Sequence, residues 1–299
     1  MRPSRQLSSL GLLLLLTCPG LSRGQSSGSP MVSGAGLVDF ASRGGLKPGM
    51  WVRYNLSTTK AGRVFRGSQT LLVSGSEIYK GERCVWIETL FTPEGAPTQY
   101  ARTLVSMKIK GAPNHDFRKA IPYFQRKVQT MKSIGGQVEE LVFPEVRAAA
   151  KKLVEGSDQR LKDVRDTLPS TDVATDAGKF RCLPCRFRRD GRFVVPDRNG
   201  QSASFHQQHE EQIDYRCAEV PVTGLVEQRY KYVFKDATIP VNSAPDFDPP
   251  AELQGYMQEA VLTAFGTTGK PVFPKAPKTV PMNIPMQDVT PPKAGADSP

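Results

Sequence analysis

The most regular feature of the chain is an alternation of apolar and polar side chains within several short stretches. In WVRYNLS, Val52, Tyr54 and Leu56 share one face, and mostly polar residues occupy the other. The same two-residue period runs through RCVWIETLF, where Val85 and Ile87 lie on one face. Successive side chains of a strand point to opposite sides, so both stretches are predicted to be β-strands with unlike faces.

Further strands follow the same rule. The stretch GSQTLLVSGSEIYKGERCVW predicts two strands joined by a turn at residues 79–82. Two more strands are predicted in YARTLVSMKIKG and VEQRYKYVF. The residues expected to face inward are Ala101, Thr103, Val105, Met107 and Ile109 in the first, and Val226, Tyr230, Tyr232 and Phe234 in the second. Several strands with one apolar face each predict an antiparallel sheet that curls around a core.

Two segments have helical spacing instead. Residues 138–168 carry an apolar stripe at steps of three and four, beginning near Pro144 and interrupted at 156–157. A shorter helix is predicted over residues 251–265. The stripes consist of Val142, Val146, Ala149, Leu153, Leu161, Val164 and Leu168 in the first, and Leu253, Tyr256, Met257, Ala260 and Val261 in the second. We expect the longer helical segment to bury its stripe against the open side of the sheet.

The first residues predict export. Arg2 and Arg5 precede an apolar run over 10–16, and a small-residue site ends at Gly24, which is the pattern of a cleaved signal peptide. An alternative is a lipidated first residue at Cys18, whose neighbours fit that processing poorly. No other stretch is apolar enough to cross a membrane. The expected location is therefore the periplasm or the outside of the cell.

Composition divides the rest of the chain. Residues 25–45 are rich in Gly and Ser and are predicted to be a flexible lead-in. Residues 46–235 are predicted to form one globular domain with the helical insertion at 138–168. Residues 236–299 contain twelve of the 25 prolines, and we expect a mostly disordered tail in which the helix at 251–265 is the exception.

Charge narrows the choice of partner. Loss of residues 1–24 removes three arginines and no acid, which lowers the formal net charge from +11 to +8. Lys and Arg concentrate in residues 101–132 and 179–198. Export argues against a nucleic acid, so an anionic envelope surface is the partner class that a basic face would meet. A charged face that only contacts solvent explains the same pattern.

Taken in order, five motifs resemble one family. They are GMWVRYNLS, SEIYKGERCVWIET, TLVSMKIKG, DAGKFRCLPCRF and EVPVTGLVEQRY, and they span residues 46–235. This series is similar to the periplasmic lipoprotein-carrier-like (LolA/LolB-like) half-barrel superfamily, especially its exported bacterial members. The resemblance implies an α+β fold: a curved antiparallel sheet, or incomplete barrel, with helices across its concave side and a hydrophobic cavity. The helical segment, the cysteines and the tail depart from the family pattern.

The cysteines allow three interpretations. After export four remain, namely Cys84, Cys182, Cys185 and Cys217, and an even number in an exported protein predicts two disulfides of unknown pairing. A redox-active Cys182/Cys185 pair needs a helix to follow it, and none is predicted. A zinc site could draw on Cys182, Cys185 and Cys217 with His206 and His209, although the His-x-x-His spacing is tight for such a site. We therefore expect no metal and no cofactor.

Catalysis has little support in the sequence. There are three histidines, no glycine-rich phosphate loop and no Gly-x-Ser-x-Gly motif. The leading hypothesis is a non-catalytic exported protein that holds a lipid or another hydrophobic ligand in a half-barrel cavity. The residues predicted to line that cavity are Val52, Tyr54, Leu56, Val85, Ile87, Val105, Met107 and Ile109. The alternative is an envelope interaction module that uses the basic face and the proline-rich tail. The same apolar residues could equally fill one another as a closed core.

Overall fold

A computed structural model describes residues 45–109, 125–131, 137–142, 162–196, 201–243, 247–275 and 278–281. The predicted signal peptide, the lead-in except residue 45, and residues 110–124, 143–161 and 282–299 fall outside these ranges. Thirteen strands are described: β1 Trp51–Lys60, β2 Arg63–Tyr79, β3 Glu82–Pro93, β4 Gln99–Ser106, β5 Gln125–Met131, β6 Val138–Val142, β7 Lys162–Thr167, β8 Thr171–Thr175, β9 Gly178–Pro196, β10 Ser202–Arg216, β11 Leu225–Pro240, β12 Gln254–Gly266 and β13 Thr279–Pro281.

The strands form one open sheet. Their order is β13-β6-β5-β4-β3-β2-β1-β12-β11-β10-β9-β7, and β8 pairs separately with the first part of β9. All neighbours are antiparallel except β13 and β6, which are parallel. The predicted turn after β2 is confirmed, because Tyr79 pairs with Glu82. The strands predicted from WVRYNLS and RCVWIETLF are β1 and β3.

The main core lies on one side of this sheet, called here the core face. Alternate residues of β1, β3 and β12 point into it, among them Val52, Ile87 and Leu262, which are almost completely buried. The hairpin formed by β8 and the start of β9 contributes Val173 and Phe180 to the same buried cluster. The loop 217–224 adds further apolar side chains. Non-helical segments therefore cover the sheet on this side.

The other side, called the opposite face, is covered by the C-terminal segment. Residues 267–275 and 278–281, called here the strap, follow β12 and end in β13 beside β6. Early in the strap, the amide of Gly269 donates to the carbonyl of Gly49 at 2.8 Å. A side chain at Gly269 would stand 2.5 Å from the nearest Leu72 atom and 2.9 Å from a Trp51 ring atom, so a larger residue would force these side chains to move.

The expected α+β fold is wrong for the part of the chain that the structure describes. The described residues are almost entirely strand, with a single short 3-10 turn at Met107–Ile109 and no helix across the core face. That turn also corrects the predicted strand position of Met107 and Ile109. Within the described ranges, no helix has the length and hydropathy that a membrane span requires.

Both predicted helices are corrected where the structure describes them. Residues 251–265 fall largely within β12, which is paired with β1 on one side and β11 on the other. The helical spacing there coincided with a two-residue pattern in which Ala260 and Leu262 are buried. Residues 138–142 and 162–167, the ends of the longer predicted helix, are β6 and β7. Backbone pairing with neighbouring strands of the sheet overrides the local helical period at these sites.

Candidate functional site

The residues predicted to line a cavity meet in the main core. Val52, Tyr54, Leu56, Val85, Ile87 and Val105 belong to one buried cluster, and Met107 packs against it. The side chain of Ile109 lies outside the described set. The cluster also holds Val173 and Phe180 from the hairpin and Val220, Val222 and Leu225 from the loop 217–224 and the start of β11. The residues that were predicted to line a cavity are therefore part of a packed core.

Tyr54 shows how the loop is attached to the core. Its hydroxyl is 2.5 Å from Thr223 Oγ1 and donates to the carbonyl of Leu225 at 2.9 Å. The ring is fully buried, and burial raises the pKa of the phenol well above 10. Val222, in the same loop, has a positive φ of 67°. The tyrosine thereby joins two buried polar groups, Thr223 Oγ1 and the carbonyl of Leu225, to β1.

A second region of the core face is lined by aromatic rings. It is called here the aromatic zone and consists of Phe193 of β9, His206 of β10, Tyr230, Tyr232 and Phe234 of β11, and Tyr256 of β12. Tyr256 lies on the same face of β12 as the core residues Ala260 and Leu262, because the three positions are separated by even numbers of residues. Tyr232 is paired directly with Tyr256. The zone therefore continues the core face away from the hairpin.

The six rings are connected by five contacts. Centroid distances are 4.7 Å for Phe193 and His206, 5.4 Å for Tyr232 and Phe234, and 5.6 Å for Tyr232 and Tyr256. The remaining two contacts are His206–Phe234 at 6.5 Å and Tyr230–Tyr256 at 5.8 Å. These distances are typical of attractive aromatic pairs. None of the six residues is fully buried, so the zone keeps part of its ring surface accessible.

Polar groups are interleaved with the rings. Gln208 Oε1 accepts a hydrogen bond from the Tyr232 hydroxyl at 3.2 Å and lies 3.1 Å from His206 Nε2. Burial raises the pKa of Tyr232 to about 12, with further contributions from Tyr256 and Glu210. Glu210 is itself buried and lies 3.7 Å from Arg189. The zone thus combines flat apolar surface with fixed hydrogen-bonding groups.

Beside the zone, an open pocket of about 350 Å³ lies against residues 190–192 of β9, 207–209 of β10 and 233–234 of β11. Gln208 and Phe234 are among its lining residues, together with Leu253 from the segment before β12. This volume is at the lower end of the range for small-molecule sites.

Sequence reasoning identified only part of the aromatic zone. The alternation in VEQRYKYVF placed Tyr230, Tyr232 and Phe234 on one face, and β11 has that arrangement. Phe193, His206 and Tyr256 were missed as neighbours of these rings. Their proximity depends on the register between strands, which the periodicity within one strand does not contain.

The proposed zinc ligands are not brought together. His206 and His209 are three residues apart in β10 and point to opposite faces, where they pair with Asp236 at 2.5 Å and Asp190 at 2.6 Å. Cys217 follows the end of β10, so it lies about 35 Å along the strand from His206 at about 3.3 Å per residue. Among the described residues no group of three potential ligands could hold a metal ion.

The basic run in β9 is partly neutralised by acids. Asp166 of β7 lies 2.9 Å from Arg186 and 3.2 Å from Arg188. On β11, Lys235 lies 2.8 Å from Asp248. These ion pairs reduce the positive field that an anionic surface would meet.

The opposite face contains a buried charged cluster beneath the strap. Arg102 is only 8% exposed, with its guanidinium carbon 4.3 Å from the Trp86 ring centroid and 4.9 Å from that of Phe273. Glu88, which pairs with Arg102 across the strands, accepts hydrogen bonds from the amides of Val272 and Phe273 at 2.8 and 3.3 Å. Burial lowers the pKa of Arg102, and Glu88 opposes this shift. Arg102 therefore points away from the core face but is covered by the strap.

Comparisons with known proteins assign no family to the chain. No family model matches the sequence, and no curated protein matches it. A candidate exported protein with a YmcC-like fold from Bacteroides fragilis is 12% identical, with a TM-score of 0.28 over 74% of this chain and 96% of its own. A candidate lipoprotein from Parabacteroides distasonis is also 12% identical, with a TM-score of 0.27 over the same shares. A chain in the MucA/MucB complex of Pseudomonas aeruginosa is 7% identical, with a TM-score of 0.17 over 78% of this chain and 96% of its own.

Proposed function

We propose that the chain is an exported, non-catalytic binding protein whose aromatic zone holds an amphipathic ligand with a hydrocarbon portion. Export is inferred from the arginines and the apolar run of the first 24 residues. The observation that carries the binding role is the row of six connected rings that continues the core face and keeps accessible surface. Ligand sites combine apolar and aromatic surface with a few fixed polar groups in the same way.

The location of the site differs from the cavity expected from the sequence. Residues such as Val52 and Val85 are at most 2% exposed and are packed against the hairpin and the loop, so a ligand would have to displace them. The rings of Tyr232 and Phe234 need no such rearrangement. Gln208 and the Tyr232 hydroxyl supply polar groups that would meet the head of an amphipathic molecule.

A direct test uses the fluorescent probe 1-N-phenylnaphthylamine on the purified protein, titrated in detergent-free buffer. The wild type is expected to enhance the probe's emission saturably. Tyr232→Ser and Phe234→Ser should each weaken binding by roughly 3- to 10-fold, since one aromatic contact contributes about 0.5–1.5 kcal/mol. Organic extraction of the protein from its own host, followed by mass spectrometry, would then identify the natural ligand class.

The matched control is Ile78→Ser. Ile78 is 72% exposed and lies near the turn between β2 and β3, outside the aromatic zone. This variant should bind the probe like the wild type, and thermal melts should show that all variants are folded. Absence of both probe binding and extractable lipid would overturn the proposal. Equal binding by the wild type and the two ring variants would overturn the assignment to this zone.

A further inference from the structure

Two of the four cysteines lie at facing positions. β9 and β10 are antiparallel, and their pairing ends with Leu183 opposite Arg216. Cys182 and Cys217 are the next residues beyond this last pair, so the same register continued by one step would set them opposite each other; both are free thiols in the structure. Both residues also contact the main buried cluster, Cys182 as a buried member and Cys217 as a partly buried neighbour. Directly opposed residues of an antiparallel pair have Cα atoms about 4.5–5.5 Å apart, which is within the range of disulfides.

We propose that Cys182 and Cys217 form a cross-strand disulfide once the protein has been exported. The bond would join the base of the β8–β9 hairpin to the first residue of the loop 217–224. Those two segments cover the main core, and Cys217 already donates its amide to Gly224 across the loop at 2.8 Å. The bond would therefore fix both covers of the core to each other.

The other pairings expected from the sequence are disfavoured by position. Cys182 and Cys185 lie three residues apart in the extended strand β9, so their Cα atoms are about 10 Å apart at about 3.3 Å per residue. This exceeds the separation that a disulfide can bridge. Cys84 lies on the opposite face of β3, in a separate buried cluster with Trp86 and Leu104. The geometry selects one disulfide where the cysteine count predicted two.

The bond forms by exchange with an external disulfide, such as that of a thiol-disulfide oxidoreductase or oxidised glutathione. Burial raises the pKa of Cys182 to about 11, with Cys217 as a second cause, so Cys182 is a poor attacking thiol. Cys217 is the more accessible of the two and therefore meets the external disulfide first. Its thiolate attacks the external disulfide, forms a mixed disulfide and releases one thiol. Cys182 sulfur, losing its proton, then displaces the second external thiol. Two thiols are oxidised, and the external disulfide is reduced to two thiols.

Peptide mapping tests the pairing. The full chain is produced with its own leader, purified without reductant, alkylated with iodoacetamide in denaturant, and digested with trypsin. We expect peptide 182–186 to be joined to peptide 217–229, and fragmentation of the joined species to place the link at Cys182. Cys84 should carry the alkyl group, and addition of a reducing agent before alkylation should separate the two peptides.

Two variants keep the test decisive. Cys185→Ser should retain the joined species, while Cys182→Ser should lose it. Because Cys182→Ser alters a buried position, the wild-type map and the Cys185→Ser map are sufficient even if that variant does not fold. Alkylation of both Cys182 and Cys217 after incubation with oxidised glutathione would overturn the proposal, as would a link from Cys217 to Cys185 or Cys84.

Discussion

The two halves of the core face differ in what lies over them. Around β1 and β3, the hairpin and the loop 217–224 bury the apolar side chains that point to this face, such as Val52 and Ile87, and Tyr54 uses its hydroxyl to hold the loop. Around the aromatic zone, alternate positions carry rings and amides that remain only partly buried. The strand patterns of the two halves are similar. The difference shows that alternation creates a face, while segments from elsewhere in the chain decide whether that face becomes core or binding surface.

On the opposite face too, a segment from elsewhere in the chain decides which side chains are buried. Trp86 and Arg102 alternate with core residues along β3 and β4, and they would be solvent-exposed without the strap. Instead, Phe273 packs on Arg102, and two strap amides donate to the neighbouring Glu88. The half of the molecule around β1 and β3, called here the covered half, thus has three layers. The sheet is the middle layer, the hairpin and the loop form one outer layer, and the strap forms the other.

The largest loss of stability is expected from a cavity in the covered half. Leu262 of β12 is 0% exposed and belongs to the main cluster. Leu262→Ala should lower the free energy of unfolding by about 3–5 kcal/mol, because it removes buried methyl groups and leaves a cavity. Urea unfolding measured by circular dichroism checks this value.

Met257→Ala on the same strand is the matched control for Leu262→Ala. Met257 is 55% exposed, so its truncation should change the unfolding free energy by no more than about 0.5 kcal/mol. Equal losses from the two variants would contradict the placement of the main core on β12. Folded Leu262→Ala should bind the fluorescent probe like the wild type, since Leu262 is outside the aromatic zone.

A smaller loss is expected where the strap covers the opposite face. Phe273→Ala removes a 5%-exposed ring that stacks on Arg102. The expected cost is about 2–3 kcal/mol, below the usual value for a buried phenylalanine, because the strap can detach while the sheet stays folded. Trypsin should then cut after Lys275 and Lys278 several-fold faster than in the wild type. Val272→Ala, at a 46%-exposed strap position, should leave the cleavage rate unchanged.

The sequence predicted the strands whose pattern is local and failed where distant pairing decides. Val52 and Tyr54 of β1 and Val85 and Ile87 of β3 follow a two-residue period, and the structure places them as expected. β12 was predicted to be a helix because Met257 and Val261 have helical spacing. Its actual conformation is set by hydrogen bonds to β1 and β11, which lie roughly 200 and 30 residues away in sequence. The segments that cover the core face depend on the same long-range pairing.

Half of the aromatic zone could be predicted from the sequence, because its three rings lie on a single strand. Tyr230, Tyr232 and Phe234 occupy one face of a single strand, so periodicity alone groups them. Tyr256 joins them only because β12 pairs with β11 in one particular register. A shift by a single residue would turn Tyr256 to the opposite face. The sequence therefore contains the rings of the site but not the alignment that assembles them.

The smallest expected effect lies at the edge of the covered half, where Glu82 begins β3. Its carboxylate accepts hydrogen bonds from Lys108 at 2.9 Å and from Arg126 at 2.7 Å, and these contacts lower its pKa from 4.5 to about 2. A carboxyl group with a lowered folded-state pKa contributes stability above its unfolded pKa. That contribution is lost as the pH falls through the folded pKa.

The wild type should therefore be more stable than Glu82→Gln at pH 7, by less than about 1 kcal/mol, because solvent screens a pair at this edge. The difference between the two proteins should shrink as the pH falls from about 4.5 to about 2. Urea midpoints measured at pH 7, 4.5, 3 and 2 test this, with Glu94→Gln in the exposed turn after β3 as the control. A difference that stays constant over this range would show that Glu82 acts through packing, since only the ionised carboxylate gains from both cations.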